Sequence, residues 1–229
     1  MGKRNSLYLH QQQREHIHQL STSILWRSEL PTWIIMMAIY GGWFATLANW
    51  QTLGLYPATV LLIGFTAWYM SLQHELIHGH PTRFPRLNQL FGTLPLAVWY
   101  PYGLYRDSHL AHHRNDHLTV PVDDPESYYF SDESWARLRP WQKRVIHLRN
   151  TFIGRLLLAP LIDIVQTLGS AVSAFRRVQV AAMLMWITHG VLLAVLFGWM
   201  SHLGFSPLWF VLAVSYPALA LTKVRSFFE

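Results

Sequence analysis

Four stretches of this chain carry no Lys, Arg, Asp or Glu: residues 31–51, 55–73, 178–200 and 205–222. Each is about 20 residues long, the length an α-helix needs to cross a hydrocarbon core of roughly 30 Å. The expected fold class is therefore all-α, an integral membrane protein with four transmembrane helices arranged as two hairpins and cytoplasmic or interfacial helices between them. Composition agrees, with 52% hydrophobic and only 13% charged residues. The modest mean hydropathy of +0.17 averages these apolar stretches with polar ones.

Orientation follows from the 18 Lys and Arg residues. Four precede residue 31, twelve lie between Arg83 and Arg177, and two follow Thr222, while neither short inter-helix turn holds one. The positive-inside rule places both termini and the middle section, residues 74–177, in the cytoplasm and the two turns outside. A bacterial inner membrane is the expected location. Residues 1–27 are polar and hold no apolar core of the signal-peptide kind, so no cleavable leader is expected. The pI of about 9.8 reflects these membrane flanks rather than a recognition motif. Anionic lipid headgroups are the expected partner, and nucleic acid is not.

The whole chain, residues 1–229, reads as one membrane domain with no internal repeat beyond its hairpin–middle–hairpin plan. Residues 87–105 are apolar and aromatic but interrupted by Gly92, Pro95, Pro101 and Gly103, which predicts an interfacial or re-entrant segment instead of a straight span. Residues 123–126 read as a loop and 134–150 as a helix. Residues 156–175, where Asp163, Gln166 and Ser170 break the apolar pattern, read as a helix on the bilayer face. The N-terminal His10, His16 and His18 beside Gln11–Gln13 fit a solvated or interfacial helix better than a metal tract.

Six of the 13 histidines fall in two short clusters, HELIHGH over 74–80 and HLAHH over 109–113. On a helix, His74 and His78 share one face, as do His109, His112 and His113. Five imidazoles can thus converge from two helix ends, and His80, just past Gly79, is a sixth candidate. The candidate metal ligands are His74, His78, His80, His109, His112 and His113; His117, His147, His189 and His202 are read as polar contacts or interfacial residues. With no cysteine in the chain, histidines and carboxylates are the strong metal ligands it has. Five or more neutral nitrogens favour two ions over one tetrahedral zinc, and iron suits them best.

These residues resemble the membrane fatty acid desaturase superfamily, which carries three histidine boxes, HxxxH, HxxHH and HxxHH, on the cytoplasmic side of a four-helix membrane fold. HELIH and HLAHH match the first two in type and placement. The resemblance implies a non-haem diiron oxidase that uses O2 on the aliphatic chain of a lipid or fatty acyl substrate, with electrons from a separate ferredoxin or cytochrome. Desaturation ranks first; hydroxylation or ketolation, as in the related alkane hydroxylases and carotenoid enzymes, is the alternative outcome. It also implies a third box after the fourth span. Residues 223–229 contain none, so the chain is expected to be a C-terminally incomplete form of the domain.

Around the boxes, Trp99, Tyr100, Tyr102 and Tyr105 are candidates for an interfacial substrate path, and Arg83, Arg106 and Arg114 for a headgroup contact. Asp107, Asp116 and Asp123 are candidates for the carboxylate that holds the outer nitrogen of a ligand histidine, Asp116 first among them. Two competing readings remain. HELIH also fits the HExxH zinc peptidase pattern, with Glu75 as general base, which leaves HLAHH unexplained. A catalytically incomplete metal-binding membrane protein is the other.

Overall fold

The computed structural model describes residues 10–23, 27–114 and 130–225, and for Arg225 the backbone only. Besides the single turns Trp50–Leu53 and Pro95–Ala97, the latter 3-10, its helices are α1 (Gln11–Thr22), α2 (Leu30–Ala48), α3 (Leu55–Ile77), α4 (Pro85–Gly92), α5 (Tyr102–His113), α6 (Asp132–Arg137), α7 (Pro140–Arg149), α8 (Phe152–Leu157), α9 (Ala159–Arg176) and α10 (Val180–His202). The last, α11 (Pro207–Val224), contains a π-helical stretch at Phe210–Ser215. No strand occurs among the described residues. Helices α2, α3, α10 and α11 are long and apolar enough to cross a membrane. They correspond to the four charge-free stretches, shifted by a few residues. α3 alone runs well past its stretch, because Gln73, His74 and Glu75 continue the helix although they end the apolar run.

Lipid tails are as apolar as leucine, so spans associate through close packing and hydrogen bonds rather than hydrophobic transfer. α2 and α3 run antiparallel and supply both. Trp43, fully buried, donates its indole N–H to Thr66 Oγ1 at 3.0 Å and meets Phe210 of α11 edge-on at 5.6 Å. Trp209 of α11 donates to Thr59 Oγ1 of α3 at 2.9 Å. At the far end the two inter-helix turns lie together, where Trp50 Nε1 donates to the Leu203 carbonyl at 2.9 Å and its ring packs on Phe205.

The interrupted segment, from the last residues of α4 to the start of α5, packs among the spans in the manner of a re-entrant segment, and all four spans hold it. A broken helix leaves carbonyls that only protein groups can satisfy at membrane depth. Tyr40 of α2 donates to Phe91 O at 2.9 Å. From α3, Tyr69 donates to Gly92 O and Leu94 O at 2.8 and 2.5 Å, and Gln73 Nε2 donates to Gly92 O at 2.9 Å. Ser215, at the end of the π-helical stretch of α11, donates to Ala97 O at 3.0 Å. His189 of α10 donates to Val98 O at 2.7 Å. Val98 takes a φ of +66°, the left-handed region that a β-branched residue rarely occupies, so this carbonyl is fixed at the expense of local strain. Gly92 is required where it stands, because a Cβ there would lie 2.6 Å from the Tyr102 ring.

The middle section corrects two expectations. Residues 134–150 form two helices, α6 and α7, because Arg139 precedes Pro140 and is forced extended, at ψ 152°. The helix expected over 156–175 starts at Ala159, with Pro160 in its first turn. Its stripe Leu161, Val165, Leu168, Val172 and Phe175 is exposed among the described residues. On its inner side Asp163 pairs with Lys223 of α11 and, at 3.5 Å, with Arg149 of α7, tying the middle section to the end of the fourth span. The expected loop at 123–126 lies outside the described residues.

Candidate metal centre

The last turn of α3 presents His74, and His78 caps the same helix one turn later. α5 presents His109 and His113, again one turn apart, after the re-entrant segment has turned the chain back beneath α3. Ligand atoms of His74, His78 and His109 all lie within 4.8 Å of one another. The Nε2 atoms of His78 and His113 each lie 3.1 Å from Nε2 of His109. Nitrogens bonded to one ion at about 2.1 Å stand roughly 2.9 to 3.4 Å apart, between octahedral and tetrahedral angles. The spacing and the all-imidazole donor set therefore fit a transition metal of the zinc and iron type.

The clustering also sets protonation. Partial desolvation first, and then the neighbouring imidazoles of His74, His109 and His113, hold the His78 pKa below the ordinary imidazole value, with Glu75 opposing. A neutral imidazole is the form that binds metal. Glu75 Oε1 lies 3.3 Å from Nδ1 of His74. A carboxylate on the outer nitrogen fixes the tautomer that leaves Nε2 for an ion. Sequence reading had given Glu75 no part outside the peptidase alternative; its position directly after a ligand histidine was the signal available.

The remaining sequence candidates sit as follows. His80 Nδ1 turns to Glu29 Oε1 at 3.1 Å and is not among the clustered atoms. The His112 ring lies 6.2 Å from His109 and 5.5 Å from His113, beside the cluster. Asp107 is engaged by Arg106, and Arg106 in turn reaches Gln89 Oε1 at 2.9 Å. Asp116, His117 and Asp123 lie outside the described residues. Of the aromatic residues, Tyr105 lies next to His109 with ring centroids 5.8 Å apart, and Tyr100 packs on Tyr105. Tyr102 is buried against Gly92, and Trp99 donates to Ser215 O at 3.3 Å, so these two support the re-entrant segment. Arg83 and Arg114 are exposed.

The model of the family described as fatty acid desaturase matches residues 49–224, from the first inter-helix turn to the end of α11. No curated protein matches the chain. No solved structure matches it either.

Proposed function

Since the chain belongs to the fatty acid desaturase family, we propose that it is a membrane non-haem iron oxidase acting on the aliphatic chain of a lipid, and that the reaction is O2-dependent desaturation. The observation that carries this reading is the convergence of imidazoles from two separate helix ends within 4.8 Å. His74, His78, His109 and His113 would hold iron, with His112 and His80 as further ligands to a second iron of a pair. When bound, iron supplies the activation of dioxygen that C–H cleavage at an unactivated methylene requires.

The chain's own residues do the rest. Glu75 holds the outer nitrogen of His74, and partial desolvation together with the close imidazoles lowers the His78 pKa, favouring the neutral form. The re-entrant segment, pinned by all four spans, fixes α5 and hence His109 against α3, the kind of rigidity an oxidant placed against one methylene demands. A site at the ends of spans favours a substrate that arrives from the bilayer. Electrons come from a separate ferredoxin or cytochrome, and the boxes and both termini face the cytoplasm, as expected for a bacterial inner membrane.

The test is iron stoichiometry on the purified protein under reducing, iron-replete conditions, together with lipid product analysis of cells expressing it. Two irons per chain and a new double bond, both lost in His109→Ala, are the expected result. One tightly held zinc with peptidase activity abolished in Glu75→Gln would replace this reading with the peptidase one.

A further inference from the structure

Between α10 and the start of α5 the fold leaves a cleft of about 200 Å³. It is lined by apolar Leu184 and Met185 and by uncharged polar residues, Gln89, Thr93, Tyr102, Thr188 and His189. Internal hydrogen bonds decide what three of these, Gln89, Thr93 and His189, can offer. Gln89 Oε1 accepts from Arg106, which leaves its amide N–H groups as donors. Thr93 donates its hydroxyl to the Gln89 carbonyl at 2.6 Å, which leaves its oxygen as an acceptor. His189 Nε2 donates to the Val98 carbonyl, so in the neutral ring the other nitrogen is an acceptor.

The cleft therefore offers donors and acceptors to an uncharged partner. An anion fares differently. The adjacent cation, Arg106, is already engaged, through Nε and Nη2 with Asp107 and through Nη1 with Gln89. Thr188 also stands eight residues into a spanning helix, about 12 Å from its start, where an unpaired charge is expensive. Apolar walls around a few neutral polar groups suit an amphiphile with a neutral head.

We propose that this cleft binds the uncharged polar end of a lipid, an ester or amide carbonyl or a hydroxyl, in preference to a free carboxylate. As a statement about substrate it rests on the lipid-oxidase reading. Tyr102 lines the cleft in the first turn of α5, and His109 follows seven residues later, about 10 Å along the same helix. The cleft thus lies about two helical turns from the histidine cluster, within reach of a chain seated there by its head.

The experiment is a binding series on the full chain in nanodiscs of uncharged lipid, without added metal. Radiolabelled hexadecanol is displaced by the methyl ester, the primary amide and the free acid of one sixteen-carbon tail. The alcohol, ester and amide are expected to bind at least about tenfold more tightly than the carboxylate, roughly the effect of one well-made hydrogen bond or one unpaired charge. Thr188→Leu weakens the uncharged ligands several-fold and leaves the helical circular dichroism melt unchanged. Gln89→Leu releases Arg106 and moves the preference toward the carboxylate. Equal binding of all four ligands, or a series unmoved by both substitutions, overturns the proposal. Because the binding series needs no metal, selective binding by a protein that oxidises no lipid once loaded with iron and given O2 and a reductant would refute the oxidase reading and leave the cleft standing; oxidation of the free acid by the iron-loaded protein, unaffected by Thr188→Leu, would do the reverse.

Discussion

The re-entrant segment makes a quantitative claim that Tyr69→Phe tests. The Tyr69 hydroxyl is fully buried, donates to Gly92 O and Leu94 O, and accepts from Gln73 Nε2. Removing it leaves Gly92 O with Gln73 as donor but takes from Leu94 O the side-chain donor that reaches it. Leu94 O keeps the backbone N–H of Leu96 at 2.9 Å, so what is lost is one buried side-chain hydrogen bond, net about 0.5–1.5 kcal/mol. Interhelical hydrogen bonds in membranes average about 0.6 kcal/mol because the membrane-embedded unfolded state finds other partners. The Tyr69 hydroxyl is fully buried and bridges Gly92 and Leu94, so the expected loss is at the upper part of that range, about 1 kcal/mol. Gln73→Leu should cost less, since Gly92 O then keeps Tyr69. The assay is SDS titration of the circular dichroism signal in mixed micelles, with metal affinity as a second readout. Loosening this segment shifts α5, so Tyr69→Phe should also bind Fe(II) several-fold more weakly. A Tyr69→Phe protein within about 0.5 kcal/mol of the parent, a difference typical of neutral surface changes, would refute the idea that these side chains hold the segment. So would a Gln73→Leu protein less stable than Tyr69→Phe.

Three further outcomes are expected. In Gly154→Ala the new methyl overlaps the Leu148 carbonyl, backbone that cannot swing aside, so the same titration should show a loss of about 1–3 kcal/mol; Gly190→Ala, with open space around its Cβ, is the control that should lose nothing. Glu75→Gln should weaken Fe(II) binding about 10–100-fold, the usual effect of losing a carboxylate behind a ligand histidine, in an isothermal titration where Asp107→Asn leaves affinity unchanged. Finally, the folded pKa of His78 is depressed, so the folded state binds its proton less readily than the unfolded chain. The metal-free protein should therefore lose stability as pH falls through the ordinary imidazole range, and His78→Gln should flatten that part of the stability profile.

Much of this was legible because it is local. Charge-free runs of spanning length mark helices wherever they occur, and the i, i+4 spacing of His74 with His78 and of His109 with His113 already places each pair on one face. The break at Pro140 and the extension of α3 past residue 73 depend on near neighbours too, but on dihedral limits and buried polar contacts that a charge count ignores. What the sequence left closed is non-local. His189 finds Val98 across 91 residues and Ser215 finds Ala97 across 118, and no periodicity in either partner announces the other.

That non-local set changes how polar residues inside these spans are to be understood. A polar or ionisable side chain at membrane depth is by default a candidate for function, and by that rule Tyr40, Tyr69, Gln73, His189 and Ser215 would all qualify. Instead they share one structural task, donating to five carbonyls between Phe91 and Val98. The segment needs so many donors because, apart from one 3-10 turn at Pro95–Ala97, it abandons helical hydrogen bonding, and it must do so to turn the chain back and bring α5 to the end of α3. The meeting of the two histidine boxes therefore follows from the spans as much as from the boxes. A substitution far from any imidazole, in any of the four spans, is expected to be felt at His109.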